Sequence, residues 1–146
     1  MTNKEIIIDV RNYDPNSDYE WVYYLYNDWS TFWGQYDDAR DTEERMQLLS
    51  KNNPSKILVA VVDNKIVWTV TLFEDGRSAR LYRFAIQKIH ENEISIALYN
   101  EAKKILKELW HNQVLVYAPD SSQYENRYKL LWFTKWNIYR AYWEDI

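Results

Sequence analysis

The alternation of hydrophobic and polar positions divides the chain into ten elements. "EIIIDVR", Glu5 to Arg11, has the β-branched run of a strand, and "DPNSD" turns the chain. Ser17 and Glu20 have capping-box spacing, after which Val22, Leu25, Tyr26 and Trp29 share one face of a first helix. Asp41 and Glu44 repeat that spacing before a second helix, which carries Met46, Leu48 and Leu49 and stops at Asn53-Pro54. Three strands follow, Lys56 to Val62, Lys65 to Phe73 and Ala79 to Gln87, joined by turns at Asp63-Asn64 and Glu74 to Arg77, so they form an antiparallel meander. Ile94, Ala97, Leu98, Ala102, Ile105 and Leu109 mark the strongest helix. "QVLVYAP" is expected as a buried strand, "QYENRYKLLWFTKW" as a helix and "NIYRAYW" as a last strand. The order β-α-α-β-β-β-α-β-α-β predicts an α/β (α+β) domain over residues 1–146, a mixed central sheet with helices on both faces.

Charge is uneven along this order. Eleven acidic residues in the first fifty face only Lys4, Arg11, Arg40 and Arg45, whereas the rest of the chain is net basic. Direct nucleic-acid binding is excluded on that balance, because basic side chains supply most of such affinity; a basic partner protein fits it. No run of eighteen apolar residues and no signal-peptide pattern occurs, so a cytoplasmic protein without a membrane span is expected.

Cysteine is absent, which removes disulfides, thiol catalysis and thiolate metal sites. His90 and His111 are too few and too far apart to start a zinc site, and no metal is expected. Either could act as a base near neutral pH, but surface or helix-end roles account for both. Asp120, Ser121 and Ser122 have no histidine beside them and read as a turn before a helix.

Eight Trp and thirteen Tyr accompany two Gly. Trp21, Tyr24, Trp29, Tyr82, Phe84 and Tyr117 are expected in or beside the core. The surplus, Trp29, Phe32, Trp33 and Tyr36 in one group and Trp132, Trp136, Tyr139, Tyr142 and Trp143 in another, forms candidate interface material.

The element order, with "DNKIVWTVTLFEDG", "LYRFAI" and "ALYNEAKKILKE", resembles the GNAT superfamily of acetyl-coenzyme A-dependent N-acetyltransferases. The resemblance implies a loop Arg/Gln-x-x-Gly-x-Gly/Ala that holds the coenzyme pyrophosphate at a helix N-terminus. Registered on Ala97-Leu98, that loop falls on His90, Glu91, Asn92, Glu93 and Ser95, without glycine. Asn92 can cap the helix while Glu91 and Glu93 supply the charge that the dipole favours, by roughly 0.3 to 1 kcal/mol each. The resemblance also implies Asn-x-x-Ala-x-x-Leu-Tyr-x-Lys-x-Gly-Phe near the C-terminus, with the tyrosine protonating a thiolate. Registered on Asn126 and Lys135, the tyrosine position is Phe133 and Gly-Phe is Asn137-Ile138. A frequent glycine of the third strand is Trp68.

Three readings stay open. The first is a diverged or redesigned GNAT scaffold without acetyltransferase activity or cofactor, a pseudoenzyme that binds or inhibits a protein partner. Its candidate surface is Trp29, Phe32, Trp33, Tyr36, Trp68, Trp132, Phe133 and Trp136; Trp68 and Phe133 alternatively fill the space of the absent cofactor. The second is an N-acyltransferase that binds acetyl-coenzyme A through backbone amides of Ala85 to Gln87, with Tyr128 or Tyr139 as acid. The third is a small-molecule binder in an aromatic cleft. A homodimer through the aromatic C-terminal strand is also left open.

Overall fold

The computed structural model describes residues 5–28, 31–32, 36–53, 56–88 and 91–146. Two compact units divide the chain, Met1–Val116 and Tyr117–Ile146. The first holds β1 (Asp9–Asn12), α1 (Tyr19–Asn27), β2 (Thr31–Phe32), α2 (Glu43–Asn52), β3 (Ile57–Val62), β4 (Lys65–Glu74), β5 (Ala79–Gln87), α3 (Glu91–Glu108) and β6 (Leu115–Val116). The second holds α4 (Ser122–Leu130). The sheet runs β1-β3-β4-β5-β2, with β6 also on β5; only the β5–β6 pair is parallel, which makes the sheet mixed.

The meander forms as its turn chemistry requires. Asp63 and Asn64 have φ of 49° and 63°, the two positive values of a two-residue hairpin turn whose twist suits the flanking strands. At the next hairpin the Asp75 carboxylate accepts the backbone N–H groups of Arg77 and Ser78, and Gly76 takes the left-handed position.

Both sheet faces are covered. Ile57 and Val59 of β3 pack with Val22, Leu25 and Tyr26 of α1 and Met46 of α2, while the alternate residues Leu58 and Ala60 are also buried, on the face left to α3. From α3, Ile94, Leu98, Ala102 and Leu106 supply the buried stripe. Each such Leu or Ile contributes roughly 1.5 to 3 kcal/mol by burial.

Several sequence expectations need correction. The first strand is shorter than Glu5 to Arg11, and the strand expected over "QVLVYAP" is two half-buried residues. α4 stops at Leu130, and "NIYRAYW" forms no strand, because no neighbouring strand pairs with it. Trp21, Tyr24, Tyr82 and Tyr117 are exposed, and the buried aromatic residues among those described are Tyr13, Tyr26, Trp68, Tyr99 and Tyr128. Trp29 lies outside the described residues.

Both capping boxes also give way to other partners. Asp18, not Ser17, precedes α1, and its carboxylate is held by Arg11 and by the Asp14 N–H. α2 is capped by Thr42, whose hydroxyl accepts the Arg45 N–H at 3.3 Å, because the Asp41 carboxylate is engaged elsewhere.

A half-buried clamp joins the end of α3 to the hairpin. His111 Nε2 lies 3.0 Å from Glu74 Oε2, Gly76 N–H donates to the same oxygen, and Lys56 Nζ donates to the Glu74 carbonyl at 3.0 Å. His111 is thus internal rather than on the surface. Its hydrogen bond, followed by that of Gly76 and the Lys56 ammonium, holds the Glu74 carboxyl below its usual range. A depressed carboxylate stabilises the fold above its unfolded pKa of about 4.3 and loses that contribution as pH falls through the folded value. Thermal midpoints of wild type and Glu74→Gln should therefore differ most above pH 5 and converge as the pH falls below 4.

α3 and α4 end alike. His111 N–H reaches the Leu106 carbonyl and Trp110 N–H that of Lys107; Phe133 N–H reaches the Tyr128 carbonyl and Trp132 N–H that of Lys129. This two-bond ending needs a left-handed residue just past the helix, and it is Trp110 at φ 68° and Trp132 at φ 64°. A bulky residue there costs roughly 1 to 2 kcal/mol, partly offset by the entropy that glycine loses on folding. Trp110→Gly and Trp132→Gly should each raise stability by about 1 kcal/mol in urea denaturation.

Candidate functional site

β5 carries the features that the resemblance ties to function. Ala85 faces Thr69 and Tyr82 faces Thr71, so Arg83 and Phe84 oppose one residue of β4 in a bulge, where Arg83 has φ 50°. The bulge is anchored by charge. Arg83 Nε donates to Asp41 Oδ1 at 2.9 Å, its Nη2 pairs with Asp41 Oδ2, and its guanidinium lies 4.8 Å from the Tyr26 ring centroid. The Asp41 carboxylate also accepts the Asp37 N–H, and its carbonyl accepts the Tyr19 hydroxyl at 3.1 Å. Tyr26 donates to the Arg83 carbonyl at 3.4 Å, and burial raises its pKa above the usual phenol range. Sequence reasoning missed this cluster, because its partners are far apart in the chain; an aspartate in a turn and an arginine within an apolar strand were its only signal.

Outer-edge pairing on β5 is split. Arg80 and Leu81 pair with Leu115 and Val116 of β6, whereas Ile86 and Gln87 pair antiparallel with Phe32 and Thr31 of β2. β2 was not expected from the sequence, where it lies inside "STFWGQYDD". Ile86 and Gln87 belong to the backbone stretch that an acyl donor would use if the resemblance carried over fully. Thr31 Oγ1 is buried and finds no hydrogen-bond partner.

The remaining candidates fall in different places. Trp68 is fully buried against Phe84, ring centroids 4.5 Å apart, and its Nε1 has no hydrogen-bond partner; as a surface residue it is corrected. Tyr36 is half-buried, with its ring edge-on to Tyr23 at 5.0 Å. The Phe32 side chain, Trp29, Trp33 and His90 lie outside what is described. Glu91 and Glu93 sit in the first turn of α3 and Ser95 is buried in its second. Asn92 is the second residue of the helix and so does not take the cap position expected of it. An open hollow of about 500 Å³ on α3, lined by Asn100, Lys103, Lys104, Lys107 and Glu108, includes no residue of β5. Among the described residues no group of three metal-ligating side chains occurs, and no helix is long and apolar enough to cross a membrane.

In the second unit, Trp132 and Trp136 are exposed and Phe133 is half-buried, edge-on to Tyr128 at 5.5 Å. The helix ending offers a second registration for the motif that the resemblance implies. A Gly-Phe pair closing a helix corresponds to the left-handed residue and its successor, which are Trp132 and Phe133. The motif's tyrosine, four residues before its glycine, then falls on Tyr128 and not on Phe133. Tyr128 is buried, which raises its pKa above the usual phenol range.

Removing one partner of the Arg83–Asp41 pair would leave a largely buried charge alone. Asp41→Ala should cost about 3 to 5 kcal/mol, and the double change Asp41→Leu with Arg83→Met should cost less. Urea denaturation of the three variants measures both.

No family model matches the sequence, and no curated protein matches it. Solved structures do. Ard1 from Thermoplasma volcanium is similar at 19% identity, with TM-score 0.67 over 87% of this chain and 82% of its own. PaiA N-acetyltransferase from Thermoplasma acidophilum, in complex with coenzyme A, is similar at 21% identity, with TM-score 0.67 over 84% of this chain and 87% of its own. An aminoglycoside acetyltransferase from an uncultured soil metagenomic sample, in complex with sisomicin, reaches TM-score 0.69 at 16% identity over 94% of this chain and 97% of its own. The mixed sheet and these likenesses agree on one architecture: this chain has the GNAT fold.

Proposed function

We propose that this chain is a GNAT-fold binding or inhibitory module that does not transfer acetyl groups from coenzyme A. The observation that carries the reading is the pairing of Thr31–Phe32 with Ile86–Gln87, which engages backbone that a donor's extended arm would need. Electrostatics favour the same reading. Helix N-termini attract phosphate through free N–H groups and the dipole, and Glu91 and Glu93 put negative charge at that end of α3. No glycine of α3 or its preceding loop allows a close approach. The residues present therefore do not fit coenzyme A in the manner the resemblance implies.

The partner in this reading is a protein, and the acidic N-terminal third favours a basic one. A second reading, an N-acetyltransferase with an atypical donor site, is favoured by Tyr128, which stands where the helix ending puts the motif's tyrosine. Titration calorimetry with acetyl-coenzyme A separates the two. No saturable heat at ligand concentrations of about 1 mM, where even weak millimolar binding registers, is expected for the module. Micromolar binding, with thiol release from amine substrates that Tyr128→Phe abolishes, would establish the enzyme.

A further inference from the structure

We infer that residues 110 and 132 are glycine in the protein as its own cell makes it, their codons being read there as glycine rather than tryptophan. The starting point is the paired helix ending. α3 and α4 close with the same two hydrogen bonds, at matching offsets, and each requires a left-handed residue immediately after the helix. Glycine meets that requirement without steric cost, and Asn or Asp meets it at moderate cost. Tryptophan is among the least suited residues, yet it fills both positions.

The other left-handed residues have local reasons to be there. Asp63 and Asn64 are residue types that tolerate the conformation, and Arg83 is held by Asp41 and Tyr26. Trp110 gains little from its placement, since 95% of it is exposed. Trp132 is two-thirds exposed as well.

Composition points the same way by a separate route. Average glycine usage is about 7%, or about ten residues in a chain of this length. This chain has two glycines and eight tryptophans. The chain is thus about eight glycines short of an average composition while it carries eight tryptophans. A third tryptophan, Trp68, is fully buried with an indole N–H that has no acceptor, a poor setting for that side chain.

A codon reassignment accounts for all of this with a single cause. UGA, a stop in the standard table, is tryptophan in one reassigned table and glycine in another, so translation under the wrong table turns glycines into tryptophans selectively. With glycine restored, both helix ends lose an exposed indole, and residue 132 leaves the candidate surface of aromatic side chains.

The test is peptide mass spectrometry of the protein isolated from cells that carry the gene, together with the gene's own codons. Glycine is expected at 110 in the tryptic peptide Glu108–Arg127 and at 132 in Leu130–Lys135, each encoded by UGA. Tryptophan in those peptides, or UGG at those codons, overturns the inference. The peptide containing residue 68 gives a third reading of the same table. Acetyl-coenzyme A titration of the natural protein tests the proposed function apart from this: donor binding by a glycine-containing chain overturns the function and leaves the reassignment standing.

Discussion

The fold depends on β5 having two usable edges along one strand. Its inner edge must follow β4, and the bulge at Arg83 and Phe84 lets it do so while turning the strand's twist. Its outer edge is divided, with a parallel partner at Arg80 and Leu81 and an antiparallel partner at Ile86 and Gln87. Because side chains alternate with period two, the extra residue in the bulge also decides which β5 side chains join each layer. Ala85 thereby joins the layer of α1 and α2, while its cross-strand neighbour Thr69 donates its hydroxyl to the Leu58 carbonyl.

The same bulge explains why a charge pair is tolerated in the interior. Arg83 emerges from a strand whose neighbours are apolar, and its carbonyl and guanidinium both find partners in one small region, Tyr26 and Asp41. Asp41 in turn is fixed by its own turn through the Asp37 N–H. Such an arrangement adds little net stability, since desolvation offsets attraction, but it fixes where the connection between α1 and α2 meets the sheet.

Sequence patterns disclosed what depends on local chemistry. The hairpin at Asp63-Asn64, the bounds of β5 and three residues of the α3 stripe, Ile94, Leu98 and Ala102, follow from turn residues and periodicity, whereas Leu109, expected on that stripe, is exposed and Leu106 is buried. Long-range competition defeated the rest. Asp18 and Asp41 looked like neighbours of helix starts, but each is drawn to an arginine, Arg11 in one case and Arg83 in the other. "NIYRAYW" has the residues of a strand and no partner to pair with, while "TF" has only two residues and does pair. In the C-terminal motif, matching on Asn126 and Lys135 follows residue names, whereas matching the motif's glycine on the left-handed residue Trp132 follows backbone geometry and puts Tyr128 at the tyrosine position.

The helix-end register separates the positions that the resemblance ties to catalysis. Read by residue names, donor, acid and cleft positions had all departed together, as expected of a scaffold released from catalysis. In the helix-end register Tyr128 takes the place of the motif's tyrosine, whereas Ile86 and Gln87 have their outer edge paired and the N-terminus of α3 is acidic. A tyrosine buried beside Phe133 can be kept for packing alone, since its ring contributes burial whether or not its hydroxyl ever gives up a proton. Two glutamates at a helix N-terminus stabilise the helix in any fold, but they also oppose an anion there, and it is this opposition that weighs against coenzyme A.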